Sequence, residues 1–363
     1  MKLLHLLPSL NLYGGTPKKT KNLIEYSSHE HFIYCWSRWE SNEVFQESKK
    51  KFEDANIKIF DFSGSKNLFN HIIKISRILK NYNISVVQTY FDNGIIIAAL
   101  IKVLNPNVKV VASFVGPFSE KNPFKNFFIN WSIKKMDKLI FISRYVLEER
   151  SKIYKGINNV DKEIIPNGTE INPHKKIFKE FTNRKIRLLS ISGLVHFKNL
   201  KVLINAAKYL KEKTKLNFQI TILGEGPLRA ELEDLISIYN LQNYFKLPGY
   251  ESEIEKFLDE SDIYLHPADG EGFGIAIVEA LMKGMPVVLS NSGALPELIE
   301  NNISGLLVDP YDGEKWAKKI IYLCENPQVC KKISMNATNH AKEFFHISVF
   351  AREHESLYER LIK

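Results

Sequence analysis

Two glutamates set among glycines mark one stretch of this 363-residue chain, Asp262-Ile-Tyr-Leu-His-Pro-Ala-Asp-Gly-Glu-Gly-Phe-Gly-Ile-Ala-Ile-Val-Glu279. An apolar run ending near His266 leads into a loop holding Gly270, Glu271, Gly272 and Gly274, and a helical pattern begins near Ile275. Glycines ahead of a helix start let the backbone approach a ligand, and the leading N–H groups with the helix dipole favour an anion. Phosphate is the natural candidate. Glu271 lies on the loop and Glu279 about one turn into the helix, so both can face one cleft while doing different work. The same residues also fit a plain glycine turn beside two solvated carboxylates.

Such a loop needs a strand before it and a helix behind it, and both recur along the chain. Short apolar runs alternate with amphipathic stretches, the pattern of a parallel sheet covered by helices on both faces. The first half has runs at Leu3–Leu7, Phe32–Trp36, Ile57–Phe60, Ile84–Thr89, Val108–Ser113 and Lys138–Ile142, with helical patterns over Asn67–Tyr82 and Gly94–Leu104. The second half has runs at Arg187–Ile191, Gln219–Leu223, Phe245–Leu247, Asp262–Leu265, Val287–Ser290 and Gly305–Val308. Helical patterns there cover Lys198–Lys213, Pro227–Tyr239 and Ile275–Lys283. The series runs twice, with a break near Pro166-Asn167-Gly168. The expected fold is α/β: two Rossmann-like doubly wound domains, residues 1–170 and 171–345, facing an interdomain cleft that is the default active site. A final helix within 346–363 is expected to return to the first domain.

Composition agrees with a globular chain: 44% hydrophobic, 12% aromatic and 25% charged residues exclude disorder, collagen and coiled coil. Three cysteines, Cys35, Cys324 and Cys330, have no zinc spacing and fit a reducing cytosol. The best apolar run, Gly94–Leu104, is broken by Lys102 and falls short of the roughly 20 residues a membrane span needs. The N-terminal run is read as a buried strand, not a signal peptide. The net charge of +9 is uneven. Residues 1–170 hold 25 Lys/Arg against 16 Asp/Glu, while the remainder is balanced at 25 of each. The first half therefore suits an anionic partner, or simply a soluble basic surface.

Several elements together resemble retaining GT-B glycosyltransferases of the family-4 type. Glu271 and Glu279 are separated by seven residues within Glu-Gly-Phe-Gly…Glu-Ala-Leu. The resemblance continues over Ala280-Leu-Met-Lys-Gly-Met-Pro-Val-Val, Gly293-Ala-Leu-Pro-Glu-Leu-Ile and Asn302-Ile-Ser-Gly-Leu-Leu-Val-Asp-Pro. It includes Leu223-Gly-Glu-Gly-Pro-Leu, Ile165-Pro-Asn-Gly168 and Leu12-Tyr-Gly-Gly15.

The resemblance implies roles. Glu279 would bind the nucleotide ribose hydroxyls. Backbone groups of Gly272, Phe273, Gly274 and Ile275 would hold the donor sugar and its phosphates. Glu271 would lie against the transferred sugar, as a covalent nucleophile or an electrostatic stabiliser. Lys198 would neutralise the leaving diphosphate, so no metal and no other cofactor is expected. Gly14 and Gly15 would let the first domain's loop close on diphosphate and acceptor. Base contacts are expected near Gly249-Tyr250, and Gly224 at a strand-to-helix turn lining the cleft. Two positions depart from the family: Gly193 stands where Arg is usual, with Arg229 and His196 as substitutes, and Val115 where many members carry His. Asn199 follows the lysine where the family prefers Gly.

The implied function is transfer of a hexose from a nucleoside-diphosphate sugar, UDP favoured over GDP, to a hydroxyl of a glycan or lipid-linked acceptor in surface polysaccharide or lipopolysaccharide synthesis. The implied location is the cytoplasm, at the inner face of the membrane. The alternatives are an epimerase-like enzyme of the same fold and a non-catalytic glycan- or lipid-binding scaffold.

Two further features have open readings. His29 and His31 suggest a metal pair, although a surface loop is favoured because no other ligand is near in sequence. Phe118–Lys138 carries Phe124, Phe127, Phe128 and Trp131 among lysines. It reads either as an interfacial helix on an anionic membrane or as an ordinary helix burying its aromatics. No motif points to nucleic acid.

Overall fold

The computed structural model describes residues 1–12, 15–37, 40–62, 64, 67–117, 122–170, 181 and 184–363. They form two compact units, Met1–Gly168 with Ile347–Lys363, and Thr169–His346.

The first unit is built on β1 (Lys2–Leu7), β2 (Glu30–Cys35), β3 (Lys58–Asp61), β4 (Val86–Thr89), β5 (Lys109–Phe114), β6 (Lys138–Phe141) and β7 (Lys162–Ile164). All pairings among the described residues are parallel, in the order β3-β2-β1-β4-β5-β6-β7. Leu3, Leu4, Leu6 and Leu7 of β1 are all buried, as an internal parallel strand covered on both faces requires. β7 has no apolar run (Lys162-Glu163-Ile164), which is why its pairing at the sheet edge is invisible in the sequence. The C-terminal helix Ile347–Ile362 packs Phe350, Ala351, Leu357 and Tyr358 against Leu3, Val86 and Val111. Arg360 fixes its far end through Glu163 at 2.8 Å.

His31 is not on a surface loop. It lies within β2, buried, with Nδ1 2.8 Å from Nε2 of His5, whose Nδ1 is 2.8 Å from the Tyr90 hydroxyl. Burial outweighs the polar character of these rings because each finds a partner inside the core.

Within Phe118–Lys138 the helix is Pro123–Ile133, capped by Asn122, whose side chain accepts from the N–H groups of Phe124 and Lys125. Ile129 and Ile133 turn inward, whereas Phe124, Phe127, Phe128 and Trp131 are exposed. A helix burying its aromatics is therefore excluded, because these four rings lie on the face opposite Ile129 and Ile133.

The second unit contains β8 (Ile186–Ile191), β9 (Phe218–Leu223), β10 (Phe245–Gly249), β11 (Ile263–His266), β12 (Val287–Ser290) and β13 (Leu306–Val308). They pair in parallel in the order β10-β9-β8-β11-β12-β13, the doubly wound arrangement. Leu188, Ile220, Ile222, Ile263, Leu265 and Val288 meet Leu203, Ala207, Trp316 and Ile320 from the covering helices. The order reverses between β8 and β11, so the loops leaving these neighbours diverge and open a crevice at their carboxyl ends. Ligand chemistry in this unit belongs there.

Candidate functional site

β11 ends at His266, which is buried, and the chain turns through Pro267-Ala-Asp-Gly270 to reach Glu271. The turn is held from β12's side. Ala294 N–H donates to the Glu271 carbonyl at 2.8 Å, and a Cβ on Gly293 (φ +60°) would stand 2.6–2.7 Å from Glu271 backbone atoms. Only glycine permits that approach. Gly270 also has positive φ, and its N–H donates to the Ser292 hydroxyl at 3.3 Å.

The loop after β8 meets this turn. Asp269 N–H donates to the Phe197 carbonyl at 2.6 Å, tying the two loops side by side. Residues His196–Lys198 form a single 3-10 turn, and Asn199 adopts a left-handed conformation (φ +48°) before the helix Lys201–Lys213 begins. The helix expected from Lys198 is thus broken ahead of Lys201, and Lys198 sits on the loop. Asn is one of the few side chains that tolerate this conformation, which accounts for its presence where the family prefers Gly.

The two loops bring three side chains together. Glu271 Oε2 accepts from Lys198 Nζ and lies 3.3 Å from His266 Nε2. Burial pushes the Glu271 carboxyl up, but the His266 hydrogen bond and the Lys198 charge outweigh it and hold the group down at about 2. Burial likewise lowers His266, against the raising effect of Glu271, so its ring is neutral at pH 7. The Nε2 proton therefore goes to Glu271. On the other side of the ring Nδ1 is 3.4 Å from the Tyr264 hydroxyl, which also lies 3.3 Å from the Ile191 carbonyl. Burial raises the Tyr264 phenol, which stays protonated and can donate.

Glu279 is buried within the helix Ile275–Met282. Gly274 precedes this helix at φ +96° and caps it with no side chain. Lys283 closes its C-terminus, buried and 3.1 and 3.0 Å from Glu255 and Asp259. Gly272 and Phe273 are buried, and the Phe273 ring packs edge-on to Phe345 at 5.8 Å.

Other expected positions fall elsewhere. Gly224 (φ +137°) lies where a Cβ would stand 2.1 Å from the Ser192 carbonyl oxygen, so it braces the loop that carries Lys198. Tyr250 follows β10 and is exposed. Arg229 is committed to Glu225 (2.6 Å), Glu233 (3.0 Å) and the Leu247 carbonyl (2.7 Å), whereas His196 is exposed on the Lys198 turn. Gly193 is exposed, and a Cβ there would meet only the Glu225 carbonyl at 3.7 Å. In the first unit, Gly15 opens the helix Gly15–Glu25, and Val115 packs at the margin of the Leu7, Leu10 and Tyr90 cluster. Gly14 lies outside the described residues.

Sequence reasoning missed His266, Asp269 and Tyr311. The Tyr311 hydroxyl and the Ser292 hydroxyl both donate to Asp269. The available signal was a histidine closing an otherwise apolar strand, Ile263-Tyr-Leu-His266. Among the described residues no group of three His, Cys, Asp or Glu is placed to hold a metal ion, and no helix is long and apolar enough to cross a membrane.

Residues 14–172 match the model of Glycosyltransferase Family 4, and residues 173–340 that of Glycosyl transferases group 1. The amylovoran biosynthesis glycosyltransferase AmsK of Erwinia amylovora is 34% identical over 201 residues, 53% of this chain and 49% of that protein. The chain thus matches about half the length of this relative. Uncharacterized glycosyltransferase MJ1178 of Methanocaldococcus jannaschii is 24% identical over 93% of both chains. Among solved structures, HepE of Anabaena in complex with UDP superposes with a TM-score of 0.84 at 19% identity, covering 99% of this chain and 100% of that one. The lipopolysaccharide outer core galactosyltransferase WaaB superposes at 0.76 and 17% identity, covering 99% and 100%. Two parallel doubly wound sheets, the Glu271–Glu279 helix start and two family models that together reach from residue 14 to 340 lead to one conclusion: the chain belongs to the group 1 glycosyl transferases of GT-B fold.

Proposed function

We propose that this chain is a retaining, metal-independent glycosyltransferase that moves a hexose from a nucleoside-diphosphate sugar, UDP rather than GDP, to a hydroxyl of a glycan or lipid-linked acceptor. The observation that carries the reading is the Lys198–Glu271–His266 constellation at the β8/β11 switch point. The names of relatives in amylovoran and colanic acid biosynthesis support a surface polysaccharide or lipopolysaccharide product. The UDP and UDP-glucose complexes of HepE support a uridine donor.

The chemistry follows from charge. Departure of a nucleoside diphosphate leaves negative charge on the phosphate and positive charge on the sugar ring. Lys198 meets the first, shared between Glu271 and the leaving group, as a compact cation that needs no metal. Glu271 meets the second. A carboxyl held at about 2 carries no proton to give at neutral pH, and two donors reduce its nucleophilicity, so it acts as an electrostatic stabiliser and hydrogen-bond acceptor. The uncapped helix start at Gly274 receives the diphosphate, and buried Glu279 receives the ribose hydroxyls. The basic first unit holds the acceptor.

The test is nucleoside-diphosphate release from a panel of UDP- and GDP-sugars, with and without detergent-solubilised lipid-linked acceptors. Acceptor-dependent release from one donor is expected. Glu271→Gln should lower turnover by about 100-fold with nucleotide affinity retained, and Glu279→Ala should raise the donor KM. Donor conversion without acceptor would favour an epimerase, and silence from folded protein a binding scaffold.

A further inference from the structure

β13 is the edge strand of the second sheet, with β12 and β11 standing between it and β8. The loop that leaves it, Asp309-Pro-Tyr311-Asp312, nevertheless reaches back to the loops that carry Lys198 and Glu271. Each residue of this loop is held. The Asp309 carbonyl accepts from the indole N–H of buried Trp316 at 2.9 Å, and the Asp309 carboxylate accepts from the Tyr311 N–H at 2.9 Å. The Pro310 carbonyl accepts from the Asn199 side-chain amide, and the Tyr311 hydroxyl donates to Asp269. Asp312 caps the helix Gly313–Glu325 by accepting from the Lys315 N–H at 3.0 Å. A Cβ on Gly313 would stand 2.6 Å from Asn205 Cβ, so this glycine lets that helix press directly on the helix Lys201–Lys213.

What the loop grips is the immediate surroundings of the Lys198–Glu271 pair. Asn199 follows Lys198 directly, and Phe197, whose carbonyl accepts from the Asp269 N–H at 2.6 Å, precedes it. Lys198 is therefore held on both sides. Asp269 stands two residues before Glu271, and its carboxylate accepts from the Tyr311 and Ser292 hydroxyls together. Ser292 in turn accepts from the Gly270 N–H at 3.3 Å, next to Glu271 itself. Tyr311 is 69% exposed, so little hydrophobic burial accounts for its order. Fixing an exposed side chain costs conformational entropy, which the hydrogen bond to a carboxylate offsets.

We propose that Pro310 and Tyr311 form a clamp that sets where Lys198 meets Glu271, and that Tyr311 is a positioning residue for sugar transfer, acting through Asp269. The catalytic part of this inference rests on the transfer reading above. Pro310 grips through a main-chain carbonyl that any residue would offer, whereas the grip of Tyr311 depends on its hydroxyl. A charge pair aimed at a reacting centre loses much of its effect when displaced by about 1 Å. Anchoring both loops to a third, itself fixed by buried Trp316, limits that displacement.

The experiment compares the full chain with Tyr311→Phe, Asp269→Ala and the double variant. Tyr311→Phe keeps the ring, removes the hydroxyl and should leave the melting temperature unchanged, because the position is exposed. Its kcat for nucleoside-diphosphate release should fall about tenfold with the donor KM unchanged, and it should add nothing once Asp269 is Ala. A second readout needs no substrate. The Glu271 carboxyl, followed by carbon-13 NMR, should titrate nearer its ordinary 4.5 than the value of about 2 set by its contacts in the fold, because Lys198 is no longer held against it. An unmoved titration overturns the clamp whatever the turnover. A raised KM at unchanged kcat overturns it in favour of a ring that touches ligand. If the wild type releases no nucleotide, the transfer reading fails, and the titration still decides for or against the clamp.

Discussion

His266 Nε2 stands 3.3 Å from Glu271 Oε2, across a glycine turn that brings the end of a buried strand back onto the loop following it. Because burial keeps the ring neutral, the contact is a hydrogen bond donated to a carboxylate, and the positive charge beside Glu271 is that of Lys198. Glu271 is thereby ionised far below neutral pH.

That ionisation links stability to acid. The Glu271 carboxyl falls from 4.5 unfolded to about 2 folded, so its contribution is complete above pH 4.5 and is lost as pH falls toward 2. The difference is on the order of 3 kcal/mol. The second unit of Glu271→Gln should lack this component. Urea unfolding at pH 5 and pH 3, followed by the fluorescence of Trp316, should show a smaller pH effect in the variant; equal slopes would sink the assignment.

The first unit should weaken sooner. Burial lowers His31 to about 4 and His354 to about 3, and lowers His5 as well. Neutral rings are favoured in the folded state, so stability is full above pH 6.5 and declines as the pH drops from 6.5 toward these values. At pH 5 His31 alone costs on the order of 2 kcal/mol. Differential scanning calorimetry between pH 7.5 and 5 should show this loss, reduced in His31→Gln. A flat profile would mean these rings are charged in the fold.

Gly293→Ala should damage the site from a distance. At φ +60°, with Glu271 backbone atoms 2.6–2.7 Å from the new Cβ, the turn must move. A loss of about 1–3 kcal/mol is expected, together with a lower turnover than the stability loss explains. Thermal melts beside nucleotide release separate the two effects, and normal turnover would show that Glu271 does not depend on this approach.

Gly193→Arg should be tolerated and should help. The position is open, five residues before Lys198, and Arg229 cannot serve there while held by Glu225, Glu233 and the Leu247 carbonyl. One added charge-assisted contact should tighten donor binding roughly tenfold. Calorimetric titration with UDP checks it; unchanged affinity would place the diphosphate away from this loop.

Chelation gives a separate test of how the leaving group is neutralised. With Lys198 in that role, EDTA should leave nucleoside-diphosphate release unchanged, while Lys198→Ala should lower it by about 100-fold. A strong metal requirement would contradict the lysine account.

The sequence alone was enough for the elements and the family. Internal parallel strands are apolar on both faces, so β1, β2, β4 to β6, β8, β9, β11 and β12 stand out as runs such as Leu3–Leu7 and Val287–Ser290. The edge strands β3, β10 and β13 keep short apolar runs, whereas β7, Lys162-Glu163-Ile164, has none. The Glu271–Glu279 spacing and its glycines were legible for a similar reason: a helix start with close backbone approach demands particular residues at particular intervals. Tertiary structure alone decided the pairings. Nothing local says that Lys198 donates to Glu271, 73 residues away, that His266 donates to the same oxygen, or that Arg229 is spent elsewhere. Nor could helical spacing tell which side of Pro123–Ile133 faces water, since an apolar stripe looks the same whether a core or a bilayer covers it. Strand order brought the β8 and β11 loops together, and order is a property of the packed sheet, set by which strands find each other rather than by the residues within any one of them.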